Sequence, residues 1–148
     1  MSNGLELAQI AEAVRQRQRF VVSSHSRPDG DSIGSQMAFA YAARALGKSV
    51  TIVNRDAAPP TLMAFPGVSD IQIADSVQGS YDAAVIMECG DLARPGVAGL
   101  DNYFLINIDH PTDARDQLRM IIGSGQMWYD GPGGARQREQ QRHQPQQR

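Results

Sequence analysis

The chain has 148 residues, enough for one domain with a real core, and a net charge of −2 from 14 basic and 16 acidic side chains. That balance excludes the basic footprint needed for sequence-independent binding of duplex DNA. The single cysteine, Cys89, excludes a disulfide framework and points to a reducing, cytoplasmic setting; Met1-Ser2-Asn3-Gly4 has no signal-peptide character, and no apolar run reaches the ~18 residues of a membrane span.

From Leu5 to Arg17, the residues Leu7, Ile10, Ala11 and Val14 recur at helical spacing, which predicts an amphipathic helix covering a sheet. Residues 20–24 begin with Phe20-Val21-Val22, the aromatic and β-branched opening of a buried strand. That strand runs into His25-Ser26-Arg27-Pro28-Asp29-Gly30-Asp31-Ser32, a polar strand-to-helix loop. Pro28 is expected to push Arg27 towards extended geometry, and Gly30 to supply a backbone angle that a side chain would forbid, turning His25, Asp29 and Asp31 inward. Imidazole with carboxylates suits a borderline divalent ion, and Asp29 and Asp31 could each serve a different ion of a pair roughly 3.5–4 Å apart. Turn and cap chemistry alone also accounts for Pro-Asp-Gly and for Asp and Ser before a helix.

Ile33, Met37, Ala40, Tyr41, Arg44 and Leu46 mark a second helix ending at Gly47. Gly34, Ser35 and Ala38 in its first turns are small, which serves either close packing or the approach of a phosphate to the helix start. Ser49–Val53 follows as a second strand, so a right-handed parallel crossover is expected. Thr61–Ala64 reads as one helical turn, Pro66-Gly67-Val68 as a turn and Ile71–Ile73 as a short strand. Tyr81–Met87 is a buried strand that ends in Glu88-Cys89-Gly90-Asp91-Leu92-Ala93-Arg94, with a carboxylate for a metal at Glu88 and a guanidinium for a phosphate at Arg94. Asn102–Ile108 is a further strand and runs directly into Asp109-His110. Strand after strand ends in metal-type residues, and in a parallel sheet these ends share one edge.

His25 to Ser35 resembles the first motif of the DHH phosphoesterase superfamily; Val85–Arg94 resembles the second, with Glu88 where an aspartate is usual; Asn107-Ile108-Asp109-His110 resembles the third, with Pro111 in place of its second histidine. The resemblance covers residues 20–113 and is nearest the oligoribonuclease and phosphoadenosine-phosphate phosphatase subgroup. It implies an α/β fold of three layers, a mainly parallel sheet flanked by helices, and two manganese ions. Carried over, His25 and Asp29 would hold one ion, Asp31 and His110 the other, and Glu88 would bridge them. Asp109 and His110 would be the catalytic pair, while Arg94 and Ser35 would bind the substrate phosphate. The substrate implied is a short single-stranded RNA or a 3′,5′-bisphosphonucleotide, hydrolysed by water that both ions acidify.

Residues 1–113 thus read as an incomplete N-terminal portion of such a domain and 114–130 as poorly defined and partly helical. Residues 131–148, rich in Gln, Arg, Gly and Pro, read as a disordered tail. The later family motifs, a further aspartate and a glycine-rich substrate domain, have no counterpart, and a shifted reading frame near residues 111–116 would explain that loss. Two functional classes follow: a manganese phosphoesterase, or a non-catalytic fragment of the same fold. Neither has a membrane partner, and a homodimer is compatible with the sequence.

Overall fold

The computed structural model of the protein describes residues 2–109 and 119–124, with side chains over 7–109. Expectations for His110, for the tail 131–148 and for most of 114–130 lie outside the described residues. Helix α1 is Ser2–Arg15, strand β1 Arg19–Ser24, helix α2 Gly30–Ala45 and strand β2 Ser49–Asn54. Strands β3 (Gln72–Ile73), β4 (Ala83–Met87), β5 (Phe104–Asp109) and β6 (Arg119–Ser124) complete the sheet. The helical turn expected near Thr61 is a 3-10 turn at Pro60–Leu62, and two more lie at Val68–Asp70 and Leu100–Asn102.

The strands lie in the order β3-β2-β1-β4-β5-β6, and every neighbouring pair is parallel except β5 with β6. This is the α/β, mainly parallel sheet that the alternating pattern predicts. From β1 the chain winds outward through β2 to β3, then returns to the other side of β1 as β4 and continues to β5. The winding direction therefore reverses between β1 and β4. In open sheets of this kind the crevice at such a reversal, beyond the carboxyl ends of the strands, is where ligands bind.

Strand alternation divides the core in two. Phe20, Val22, Val85 and Ile106 face both helices, packing with Ile10, Ala13 and Val14 of α1 and with Ile33, Met37, Ala40 and Ala43 of α2. Val21, Ala84, Ile86 and Leu105 face the other way and are covered by Cys89, Val97 and Leu100 from the β4–β5 connection. Among the described residues the second covering layer is therefore built from turns, with no long helix. Phe20, Val21 and Val22 are all fully buried, each worth about 1.5–3 kcal/mol of transfer free energy. Their consecutive burial is why the run is continuous rather than alternating.

Two details of patterning differ from the sequence reading. Leu7 stands on the apolar spacing of α1 yet is 54% exposed, so the packed stripe starts at Ile10. Residues 119–124 lie in the stretch expected to be partly helical but instead form strand β6, pairing antiparallel with β5. Helix α2 stops where expected: Gly47 takes φ +77°, a left-handed angle that costs glycine little, and its N–H bonds the carbonyl of Arg44. No helix among the described residues is long and apolar enough to cross a membrane.

Candidate functional site at the carboxyl edge of the sheet

Register decides which strand ends meet. Ser24 of β1 is level with Met87 of β4, and Met87 is level with Ile108 of β5. The next residues, His25, Glu88 and Asp109, therefore emerge side by side at the carboxyl edge, with His25 and Glu88 flanking the winding reversal. The expectation that successive strands deliver these residues to one edge is met. Asn54, the last residue of β2, stands on the same edge and was not singled out from the sequence. The polar-residue-at-strand-end rule that found the other three would have found it.

His25 is largely buried, its side chain 17% exposed, and its Nδ1 lies 2.8 Å from the carbonyl of Ser26. A carbonyl only accepts, so Nδ1 carries the proton and Nε2 of the neutral ring presents a lone pair. That Nε2 faces Asp29 Oδ1 at 3.8 Å. A lone pair facing a carboxylate across that gap repels unless a proton on Nε2 or a cation intervenes.

Asp29 has a structural duty as well. It is the N-cap of α2: its Oδ1 accepts the backbone N–H of Ser32 at 2.9 Å, and the Ser32 hydroxyl accepts the N–H of Asp29 at 2.9 Å, a reciprocal capping box. The backbone and then the hydroxyl hydrogen bond from Ser32 hold the Asp29 carboxyl below its ordinary value. Cap chemistry and the carboxylate facing His25 coexist in one side chain.

The loop bends by a different route from the one expected. Gly30 is the first residue of α2 and has no left-handed angle; Arg27 instead takes φ +52°. Capping by Asp29 draws Gly30 into the helix, so the bend moves back to Arg27, whose N–H is held by Asp56 Oδ2 at 2.8 Å. Pro28 therefore does not keep Arg27 extended. The only other described non-glycine residue in the left-handed region is Glu88, at φ +56°. Such angles cost of order 1 kcal/mol each and persist where surroundings over-determine them.

For Glu88 the consequence is geometric. Met87 packs on the α2 face, so strict alternation would send Glu88 to the opposite face. The left-handed turn reverses that: Glu88 Oε1 accepts a hydrogen bond from Ser35 Oγ of α2 at 3.3 Å. Ser35, expected at a substrate phosphate, thus holds a candidate metal ligand.

Asp31 lies in the first turn of α2, exposed, where a negative charge also favours the helix dipole. Asp91 Oδ1 accepts the N–H groups of Ala93 and Arg94 at 2.8 and 3.1 Å and so shapes the loop itself. Arg94 is exposed, and its carbonyl accepts the N–H of Ser26 at 2.8 Å, which fixes its backbone beside the His25 loop. Cys89 is buried; burial first, with the charges of Asp109, Asp91 and Glu88 adding to it against Arg94, pushes its thiol up to about 12. A thiol so held has no nucleophilic role. Ser24 Oγ and Asn107 Oδ1 are buried beneath this edge with no hydrogen-bond partner among the described residues.

The donor set, one oriented imidazole nitrogen with carboxylates on neighbouring strand ends, fits a borderline divalent cation in chemistry. Among the described residues no three of these side chains are close enough to hold one ion. His110, the next residue after Asp109, falls outside them.

Neither a family model nor a curated protein matches the chain. Among solved structures, a crystal structure of an exopolyphosphatase-related protein from Bacteroides fragilis is similar, with a TM-score of 0.66 and 22% identity. The similarity covers 76% of this chain and 36% of that one, so this chain spans little more than a third of its neighbour's length. The likeness is one of fold.

Proposed function

We propose that this chain carries the metal-binding half of a manganese-dependent phosphoesterase that hydrolyses short oligoribonucleotides or 3′,5′-bisphosphonucleotides. The observation that supports it most is the register that sets His25, Glu88 and Asp109 side by side at the winding reversal of the sheet. The similarity of fold to an exopolyphosphatase-related protein agrees with chemistry at phosphorus.

In this reading His25, with Nδ1 committed to the Ser26 carbonyl, would offer Nε2 alongside Asp29 to one ion, Asp31 and His110 would hold the second, and Glu88, steadied by Ser35, would serve both. Manganese, when bound, supplies Lewis acidity towards the phosphoryl oxygens and lowers the pKa of water. The chain's own groups orient and hold. Asp109 would orient His110; the left-handed turn at Glu88 keeps its carboxylate on the α2 side, and Arg94, beside the His25 loop, would offer an exposed cation to a phosphate oxygen. A cytoplasmic setting belongs to the same proposal.

Two observations favour a second reading, a non-catalytic fragment of the fold: among the described residues no three ligands gather on one point, and Pro111 stands where a further histidine would. Calorimetric titration with manganese, joined to an assay on a dinucleotide, separates the two. Two sites with manganese-dependent release of mononucleotide support the hydrolase. One weak site without product supports the fragment.

A further inference from the structure

Beside the carboxyl edge, between α2 and residues 62–68, lies an open cleft of about 310 Å³. Ile33 and Val68 form part of its lining and are buried; Tyr41 and Phe65 line it while remaining 47% and 60% exposed. Its lining begins at Gly30, the residue between Asp29 and Asp31, so it opens directly beside the candidate metal ligands. No lining residue carries a charge.

Resting on the phosphoesterase reading above, we propose that this cleft is the subsite for the nucleobase of the substrate. An inorganic phosphate chain has no apolar part and gains nothing from an uncharged wall, whereas a flat heterocycle on a sugar phosphate gains both burial and stacking on exposed rings. The volume stands at the small end of the roughly 300–1,000 Å³ range of small-molecule sites, suited to one ring system. With Tyr41 Oη donating to the carbonyl of Pro66, and no other side-chain hydrogen-bonding group in the lining, nothing reads one base against another. The subsite therefore demands a base and tolerates any.

The test uses the full chain in manganese buffer and compares, by calorimetry, adenosine 5′-monophosphate, uridine 5′-monophosphate and ribose 5-phosphate, which keeps the ester and lacks the base. Both nucleotides are expected to bind about tenfold more tightly than the sugar phosphate. Gly34→Leu should erase that preference: a Cβ at Gly34 meets nothing within 4 Å, so a side chain can start from this cleft-lining position without a clash at its root, and leucine favours the helix. Phe65→Ala, at an exposed position, should reduce the preference without endangering the fold.

Equal binding of the three probes, binding of none, or a preference that survives Gly34→Leu overturns the subsite. So does a dimer, seen by sedimentation, that Gly34→Leu dissociates, since a second copy would then be the occupant. Dinucleotide turnover without a base preference would leave the hydrolase standing and remove the subsite. A base preference without turnover would do the reverse.

Discussion

Ser35 Oγ donates a hydrogen bond to Glu88 Oε1 across 3.3 Å, joining the second turn of α2 to the residue that follows β4. The two elements are far apart in sequence, and the bond spans the side of the crevice where the winding of the sheet reverses. Ser35→Ala should weaken manganese binding roughly tenfold, the usual effect of removing a partner that orients a ligand. Unfolding free energy should fall by no more than about 1 kcal/mol, because the bond is single and half-exposed. Calorimetry and urea denaturation on the same preparation measure the two effects; unchanged manganese affinity would show that Glu88 needs no such support.

Asp29 caps α2 and faces His25, and two substitutions separate these duties. Asparagine caps as well as aspartate, so Asp29→Asn should unfold at nearly the wild-type urea concentration while losing manganese binding and turnover. Asp29→Ala should lose the same binding and also about 1 kcal/mol of stability. Full turnover in folded Asp29→Asn would remove this residue from the metal site.

Gln36 and Asn54 exchange two amide hydrogen bonds, at 2.7 and 3.0 Å, with both side chains fully buried. Gln36→Leu strands the Asn54 amide, which costs about 1–3 kcal/mol. Adding Asn54→Leu should restore part of that loss, since no buried polar group is then left unpaired. A double-mutant cycle in urea reads the coupling directly.

Asp82 Oδ2 accepts the backbone N–H groups of Gln18 and Arg19 at 2.9 and 2.8 Å, fixing the entry of β1 beside that of β4. Those two bonds, first from Gln18 and then from Arg19, lower the Asp82 pKa from its ordinary 3.8. A depressed carboxylate contributes stability that is complete above its unfolded-state pKa and is lost as pH falls through the folded value. Asp82→Asn should therefore lower the urea midpoint at neutral pH. Below the folded pKa the two proteins should converge, and a gap that persists or widens in acid would contradict the assignment.

Much of this arrangement was legible in the sequence because the signals are local. The continuous apolar run Phe20-Val21-Val22, the helical spacing of Ile33, Met37 and Ala40, and the glycine at 47 report burial, period and a left-handed stop, and each depends on a residue and its near neighbours. Alternation of strands and helices implied a parallel sheet, and a parallel sheet puts His25, Glu88 and Asp109 on one edge.

What tertiary structure alone decided is which side of that edge each group takes. Whether Glu88 turns towards α2 depends on a left-handed φ that its neighbours in sequence do not specify; whether the loop bends at Gly30 or at Arg27 depends on Asp29 capping the helix and on Asp56 arriving from another strand end. The Asp29 cap is local, but the turn at Glu88 and the hold of Asp56 on Arg27 are set by strand register and by contacts between segments distant along the chain, which residue preferences do not encode. Local pattern was enough for β1, β2, β4, β5, both helices and the chemical character of the strand ends; packing between segments made 119–124 a strand, set Ser35 as the partner of Glu88 and left an apolar cleft beside Asp29 and Asp31.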